Sequence, residues 1–160
     1  DAVEDYAVML SNVKKEDVRV YISLAFSSPL DDVAVAITDA EVLGSTVVLS
    51  DTNGDATPDT IRQVTGLPHG HVALHLHYNA NRERMFDNIA VAYDTGVRDF
   101  DTSIAGLGGC PFVPDTRGNL ATSDLVAWGV QEGLDCGLKL EALEPARIFA
   151  EQLRGTEMII

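Results

Sequence analysis

The chain has 160 residues, 46% of them hydrophobic, which is enough for one domain with a substantial core and too few for two ordinary domains. Its 11 lysine and arginine residues against 25 aspartate and glutamate residues give a net charge of −14, which argues against nonspecific binding of nucleic acid or of an anionic membrane. The longest apolar stretches fall far short of the roughly 20 residues that a membrane helix needs. With only two cysteines and no signal peptide, the sequence predicts a soluble protein of a reducing intracellular compartment.

The sequence predicts helices and strands that alternate along the chain. A first amphipathic helix is predicted over 3–13, and four runs rich in β-branched and apolar residues then predict strands over 18–26, 46–51, 71–77 and 97–104. Successive runs begin 25 to 28 residues apart, close to the roughly 30 residues of a strand-helix-strand unit. The sequence therefore predicts a βα repeat with parallel neighbouring strands.

The segments between the strands support this repeat. The segment 31–43 carries a helical apolar stripe and stops at Gly44, while Thr57 and Pro58 are typical of a helix start. Further helices are predicted over 85–93, 122–134 and 145–154, the last two with Thr122 and Glu144 as N-caps.

Polar side chains stand at the carboxyl ends of the predicted strands. Asp51 and Thr52 follow the second strand, His75 and His77 close the third, and Thr102 and Ser103 come late in the fourth. In parallel α/β folds active sites form at these ends, so we expect these residues to gather at one site.

The histidine pair is a candidate metal site. His75 and His77 are two residues apart on a predicted strand, so their side chains point to the same face and could share one ion. The alternative is a pair of ordinary polar surface residues, but inside a barrel two imidazoles need a metal or hydrogen bonds to offset their desolvation.

A glycine-rich loop over 105–119 follows the last strand and is long enough to predict an active-site lid. Glycines such as Gly108 and Gly109 allow the backbone to approach a ligand closely or to flex. Cys110, between Gly109 and Pro111, is either a reactive thiol or a buried small side chain, whereas Cys136 is expected to be buried.

Several of these segments resemble 3-hydroxy-3-methylglutaryl-CoA lyases. The similarity runs from about residue 18 to beyond 138, with the loop AGLGGCPF at 105–112 as its most specific part, because related synthases and aldolases share the histidine pair but not this loop. The segments LSDTNG at 49–54 and GNLATSDL at 118–125 match as well, as do Tyr21 and Ser23.

The resemblance implies a (β/α)8 barrel, bound Mg²⁺ or Mn²⁺, and retro-Claisen cleavage of a 3-hydroxyacyl-CoA to acetyl-CoA and a ketoacid such as acetoacetate. It implies that the metal ligands are His75, His77 and Asn119. The implied catalytic residues are Cys110, which transfers a proton to the acetyl-CoA enolate, Asp51 and His75. The implied substrate contacts are Tyr21, Thr52, Gly108 and Gly109, and the implied location is the cytoplasm, or the mitochondrial matrix in a eukaryote.

Two features depart from the family pattern. Tyr78 and Asn79 stand after the histidines where the family has an acidic residue and a threonine, so support of the metal is expected to differ. The Arg-Asp-Gly motif that ends the family's first strand is absent. We therefore expect a single domain over 1–160 that forms the last four βα units, strands five to eight, of a barrel of roughly 250 residues.

Half a barrel leaves two open strand edges that something must cover. The expected partner is a missing amino-terminal half, on the same or another polypeptide, or a second copy of this chain. Two alternatives to the lyase remain open, namely a non-catalytic half barrel that binds a metal or ligand, and a related Claisen-type synthase or aldolase.

Overall fold

The computed structural model describes residues 2–78, 82–109 and 118–155, and Cys110 lies outside these ranges. The helices are α1 (Ala2–Met9), α2 (Leu30–Leu43), α3 (Pro58–Thr65), α4 (Arg82–Asp94), α5 (Thr122–Gln131) and α6 (Leu140–Gly155). The strands are β1 (Arg19–Ile22), β2 (Thr46–Ser50), β3 (His71–His75) and β4 (Asp99–Asp101), and short 3₁₀ turns cover Lys15–Asp17 and Ile104–Gly106.

The four strands form one parallel sheet in the order β1-β2-β3-β4. Helices α2, α3 and α4 connect successive strands, which confirms the predicted βα repeat and fits part of a (β/α)8 barrel. Within the described ranges, β1 and β4 each pair with a single strand, so the sheet has two open edges.

One face of the sheet packs against the helices and forms the core. Strand residues alternate in direction, so every second residue turns to this side. The buried residues there include Val47, Leu49, Val72 and Leu74 from the sheet and Val33, Ile37, Ile61, Val64, Ile89 and Ala92 from the helices. Burial of each valine, leucine or isoleucine side chain among them stabilises the fold by about 1.5–3 kcal/mol.

The opposite face of the sheet is polar and concave. Arg19 on β1 reaches Asp101 on β4, with 2.6 Å between Arg19 Nη2 and Asp101 Oδ1. Three strand spacings in a flat sheet would separate β1 from β4 by about 14 Å, which is too far for these side chains to meet. The sheet therefore curls as a barrel wall does, and the polar side chains meet on its inner face.

Several predicted boundaries are wrong. The strands are shorter than predicted because their last residues turn away to form the loops at the carboxyl ends. The last helix begins at Leu140, so Pro145 lies inside it and Glu144 is not its N-cap. Pro145 comes only one turn after the helix start, where it removes a single backbone hydrogen bond. Ala121, not Thr122, is the N-cap of α5.

The predicted start of α3 is confirmed. The Thr57 hydroxyl accepts a hydrogen bond from the Thr60 amide while the Thr60 hydroxyl accepts one from the Thr57 amide, and Pro58 occupies the first helical position. Across the described part of the chain, none of the helices has the length and apolar character needed to cross a membrane.

Candidate metal centre at the carboxyl ends of the strands

The strand register brings the polar residues to one end of the sheet. His75 pairs with Ser50 on one side and with Asp101 on the other, so the ends of β2, β3 and β4 lie level. Asp51 follows β2 directly, and its amide donates a hydrogen bond to the carbonyl of His75 at 2.8 Å. Asp51 and His75 therefore lie next to each other at this end of the sheet, whereas the Thr102 hydroxyl contacts the Thr122 hydroxyl and the Ser103 hydroxyl donates to the Leu107 carbonyl.

The two histidines face each other through their Nε2 atoms, which lie 3.2 Å apart. Nδ1 of His77 is 3.1 Å from the carbonyl oxygen of Thr52. A carbonyl only accepts hydrogen bonds, so His77 donates from Nδ1 and its Nε2 keeps a lone pair turned toward His75.

Asn119 supplies a third donor atom. It forms a β-bridge with His77 and is held there by hydrogen bonds from the Tyr78 amide to the Gly118 carbonyl and from the Leu120 amide to the Leu76 carbonyl. Its Nδ2 donates to the carbonyl of Leu107 at 2.8 Å, which orients the amide, while its Oδ1 is buried without a hydrogen-bond partner. A buried oxygen without a partner costs about 1–3 kcal/mol, which a bound cation would offset.

These residues fit a divalent cation. Two ligands on adjacent octahedral positions at about 2.1 Å from an ion lie about 3 Å apart, which matches the separation of the imidazole Nε2 atoms. The amide oxygen suits Mg²⁺ or Mn²⁺, whereas the two imidazole nitrogens also suit Zn²⁺, Fe²⁺ or Ni²⁺, and three donor atoms leave positions for water or substrate. Among the residues that the structure describes, no group of three or more His, Cys, Asp or Glu side chains forms a further metal site.

The protonation of His75 responds to its surroundings. Burial and the neighbouring His77 lower the pKa of His75, while Asp101 and Asn119 oppose this effect. The imidazole is therefore mostly neutral at neutral pH, as a metal ligand must be.

Asp51 is buried and has a raised pKa. Its side chain is 2% exposed, and its Oδ1 accepts a hydrogen bond from the Ala56 amide at 3.0 Å. Burial raises the pKa of Asp51 to about 6, although the backbone amides of Ala56 and Asp55 oppose this shift. A carboxyl group with this pKa exchanges protons near neutral pH, as a general base requires.

The residues predicted to contact substrate lie near the histidine pair. In the structure, Thr52 and Tyr21 form hydrogen bonds with other residues of the chain. The hydroxyl of Thr52 accepts a hydrogen bond from the Leu24 amide at 2.9 Å. Tyr21 donates to Asp101 Oδ2 at 2.7 Å, which is the main reason that its pKa is raised. Gly108 and Gly109 are exposed, and a Cβ on Gly108 would lie 2.7 Å from Nδ2 of Asn119.

The backbone segments at the two ends of the predicted lid lie close together, and glycines allow this approach. Gly118 has φ +96°, and a Cβ there would lie 2.2 Å from the Gly106 carbonyl oxygen. The amide of Ser103 donates to the Leu120 carbonyl and the amide of Thr122 donates to the Ser103 carbonyl, both at 3.0 Å. The predicted catalytic Cys110 belongs to the part of this loop outside the described residues.

The expectation for Cys136 is wrong. Cys136 is an exposed free thiol, because it follows the turn after α5 on the surface and does not lie on a core-facing helix stripe.

Sequence reasoning missed two residues, Arg19 and Asp101. Asp101 is the last residue of β4 and lies beside His75. The signal for Asp101 in the sequence is its position at a strand end, which it shares with Thr102 and Ser103.

The curled parallel sheet and the donor atoms at its carboxyl ends define the class of (β/α)8-barrel proteins. No protein-family model matches the chain. The chain is 34% identical to a hydroxymethylglutaryl-CoA lyase of Bacillus subtilis over 86% of its own length and 49% of that protein. It is 29% identical to the (R)-citramalyl-CoA lyase of Chloroflexus aurantiacus over 89% of its own length and 49% of that protein.

The structural comparison agrees with the sequence comparison. The crystal structure of an HMG-CoA lyase from Brucella melitensis matches with a TM-score of 0.78 and 31% identity, covering 96% of this chain and 57% of that one. The chain is therefore a homologue of the hydroxymethylglutaryl-CoA lyases, and it spans about half the length of the curated relatives it matches.

Proposed function

We propose that the chain forms the metal-binding and lid half of a divalent-cation-dependent lyase that cleaves a 3-hydroxyacyl-CoA to acetyl-CoA and a ketoacid. The observation that carries this proposal is the pair of imidazole Nε2 atoms 3.2 Å apart beside the unpartnered amide oxygen of Asn119. The lyase names of the relatives support a carbon–carbon lyase acting on a CoA thioester.

His75, His77 and Asn119 would hold Mg²⁺ or Mn²⁺, which when bound would polarise the substrate oxygens and stabilise the developing negative charge. The structure supports this role through the fit of the donor atoms described above.

Asp51 and Cys110 would move the two protons of the reaction. Asp51 accepts the proton of the 3-hydroxyl, and the electron pair of the broken O–H bond forms the carbonyl of the ketoacid. The electron pair of the broken carbon–carbon bond passes to the thioester as an enolate. The Cys110 thiol then donates its proton to the enolate carbon, which gives acetyl-CoA, and a closed lid excludes water from that step.

The open edges of β1 and β4 support a second part of the proposal. A complementary half barrel would pair with both edges and would bring the acidic metal ligand and the arginine that this chain lacks. The net charge of −14 disfavours a second copy of this chain as that half, because two copies would repel each other.

The test is to co-express the chain with the amino-terminal four βα units of the Bacillus subtilis relative and to assay release of acetyl-CoA from 3-hydroxy-3-methylglutaryl-CoA with Mn²⁺ present. We expect cleavage only when both halves are present, and a loss of about 100-fold in Cys110→Ala. Cys136→Ala is the matched control and is expected to retain activity, because its thiol is exposed and follows α5, outside the predicted lid. Full activity in Cys110→Ala would contradict the assigned proton transfer.

The citramalyl-CoA lyase among the relatives supports a second candidate substrate, citramalyl-CoA. Both thioesters are therefore assayed in parallel, and the larger kcat/KM identifies the substrate class. If the complex binds Mn²⁺ and cleaves neither thioester, the lyase proposal fails and a non-catalytic metal-binding half barrel is the conclusion.

A further inference from the structure

Asn88 is a buried polar residue on the core-facing side of α4. It is 3% exposed and follows the helical spacing of Met85, Ile89 and Ala92, which belong to the core. Its side-chain Oδ1 is buried and has no hydrogen-bond partner among the residues that the structure describes. An apolar side chain would fill this position without a buried, unpaired polar atom, so packing alone does not account for the amide.

The nitrogen of the same amide is bonded to a loop. Nδ2 of Asn88 donates a hydrogen bond to the Ala56 carbonyl at 2.9 Å, and this bond is buried. Ala56 lies in the loop 51–57 that connects β2 to α3, and its side chain is fully buried in the core. Helix α4 therefore holds this loop at Ala56.

The backbone of Ala56 also contacts Asp51. The Ala56 amide donates a buried hydrogen bond to Asp51 Oδ1 at 3.0 Å. The main chain of Asp51 is fixed separately, because its amide donates to the His75 carbonyl at 2.8 Å. Two consecutive hydrogen bonds thus run from Asn88 through Ala56 to the carboxyl group of Asp51. The orientation of that carboxyl group depends on where Ala56 is held.

We propose that Asn88 is a positioning residue for Asp51. By holding the Ala56 carbonyl, it keeps the Ala56 amide directed at Asp51 Oδ1 and fixes the carboxyl group beside the histidine pair. A displacement of a reacting group by about 1 Å can cost about 100-fold in rate, so such a bond affects catalysis without touching the substrate. This inference rests on the proposed function, in which Asp51 acts on the 3-hydroxyl of the substrate.

Thr65 provides a matched comparison on the same pair of helices. It is the last residue of α3, is 4% exposed, and its hydroxyl lies 2.9 Å from the hydroxyl of Thr95, which follows α4. This contact also joins the two helices through buried polar side chains, but at the opposite end of α3 from Ala56. Thr65→Val removes the hydroxyl and keeps a β-branched side chain.

The first measurement is hydrogen exchange of the Ala56 amide in the metal-free chain, followed by ¹⁵N NMR. In the wild type we expect this amide to be protected, because it is buried and hydrogen-bonded. In Asn88→Ala it is expected to exchange at least about tenfold faster relative to the Leu74 amide of β3, which reports the stability of the sheet. In Thr65→Val this ratio is expected to stay within about twofold of the wild type.

The second measurement is the kinetics of thioester cleavage by the complex of both halves. Asn88→Ala is expected to lower kcat by about ten- to a hundredfold and to leave KM within about threefold, because Asn88 orients a reacting group and binds no part of the substrate. Thr65→Val is expected to keep kcat within about twofold. If Asn88→Ala does not fold, Asn88→Leu decides the question by both measurements, since leucine fills the space that alanine leaves empty but donates no hydrogen bond.

Three results would overturn the inference: an Ala56 amide as protected in Asn88→Ala as in the wild type, equal losses of kcat in Asn88→Ala and Thr65→Val, or a raised KM with unchanged kcat. If the wild-type complex cleaves neither thioester, the proposed function fails instead. The exchange of the Ala56 amide needs neither metal nor substrate, and in that case it still decides whether Asn88 holds the loop at Asp51.

Discussion

The imidazole rings of His75 and His77 approach each other edge to face, with ring centroids 5.0 Å apart and an angle of 74° between their planes. Their Nε2 atoms, 3.2 Å apart, are the closest polar contact between them. β3 ends at His75, and His77 lies two residues further on in an isolated bridge with Asn119, yet the two rings lie on one side of the chain. Such convergence on one point is what two ligands of a single ion require.

Removal of one ring tests this arrangement. His77→Ala is expected to weaken Mn²⁺ binding by at least about tenfold, because it removes one of three donor atoms. Titration calorimetry with Mn²⁺ measures the change. His71→Ala is the control, since His71 lies on the same strand, is exposed and pairs with Asp99. Equal losses in both variants would mean that the cation does not bind at the histidine pair.

Asp51 makes stability depend on pH. Its pKa of about 6 in the folded protein lies above the ordinary value, so the folded state holds the proton more tightly than the unfolded state does. The contribution of this group is therefore present below about pH 4 and is lost as pH rises toward 6, and its full size is up to about 3 kcal/mol.

Chemical denaturation at several pH values between 4 and 7 measures this effect. We expect the free energy of unfolding of Asp51→Asn, relative to the wild type, to rise across that range, because the variant carries no charge to bury. Asp39→Asn is the control, since Asp39 is exposed on α2 and is not among the groups that shift the pKa of Asp51. A difference between Asp51→Asn and the wild type that is constant with pH would refute the assignment.

Gly118 tests how the loop ends position Asn119. Gly118→Ala is expected to weaken Mn²⁺ binding and to lower stability by more than the roughly 1–2 kcal/mol cost of a left-handed alanine, since its Cβ would overlap the Gly106 carbonyl oxygen. Gly96→Ala is matched to it, because Gly96 also has a positive φ of +100° but its Cβ would meet nothing within 4 Å. Thermal denaturation and Mn²⁺ titration of both variants separate the overlap from the backbone cost. Equal effects in the two variants would show that the contact with Gly106 is unimportant.

The N-cap of α3 tests how much a local side-chain hydrogen bond contributes to the stability of the fold. Thr57→Ala is expected to lower the free energy of unfolding by about 1 kcal/mol, because it removes the acceptor for the Thr60 amide. Thr38→Ala in the middle of α2 serves as the reference and is expected to be neutral or slightly stabilising, since alanine is the better helix former. Urea denaturation of the two variants gives the comparison.

The parallel βα repeat, the cap at Thr57 and the pairing of His75 with His77 were all predictable from the sequence. They depend on local patterns, namely the alternation of apolar residues, a threonine before proline and a two-residue spacing on a strand. The boundaries of the strands and of α6 were less predictable, because loops at the site and the position of Pro145 depend on packing beyond the local segment.

Only the tertiary structure brings Arg19 and Tyr21 to Asp101, since the residues are about 80 positions apart and meet through the curl of the sheet. The side-chain oxygen of Asn119 is buried without a hydrogen-bond partner, and the pKa of Asp51 is raised. Both properties likewise depend on burial by distant segments. The sequence by itself determined the repeated strand-helix order of the described residues and the presence of Asp51, His75 and His77 near the carboxyl ends of their strands. The fold decided their distances, protonation and exposure, because these depend on side chains that the chain brings together from far apart.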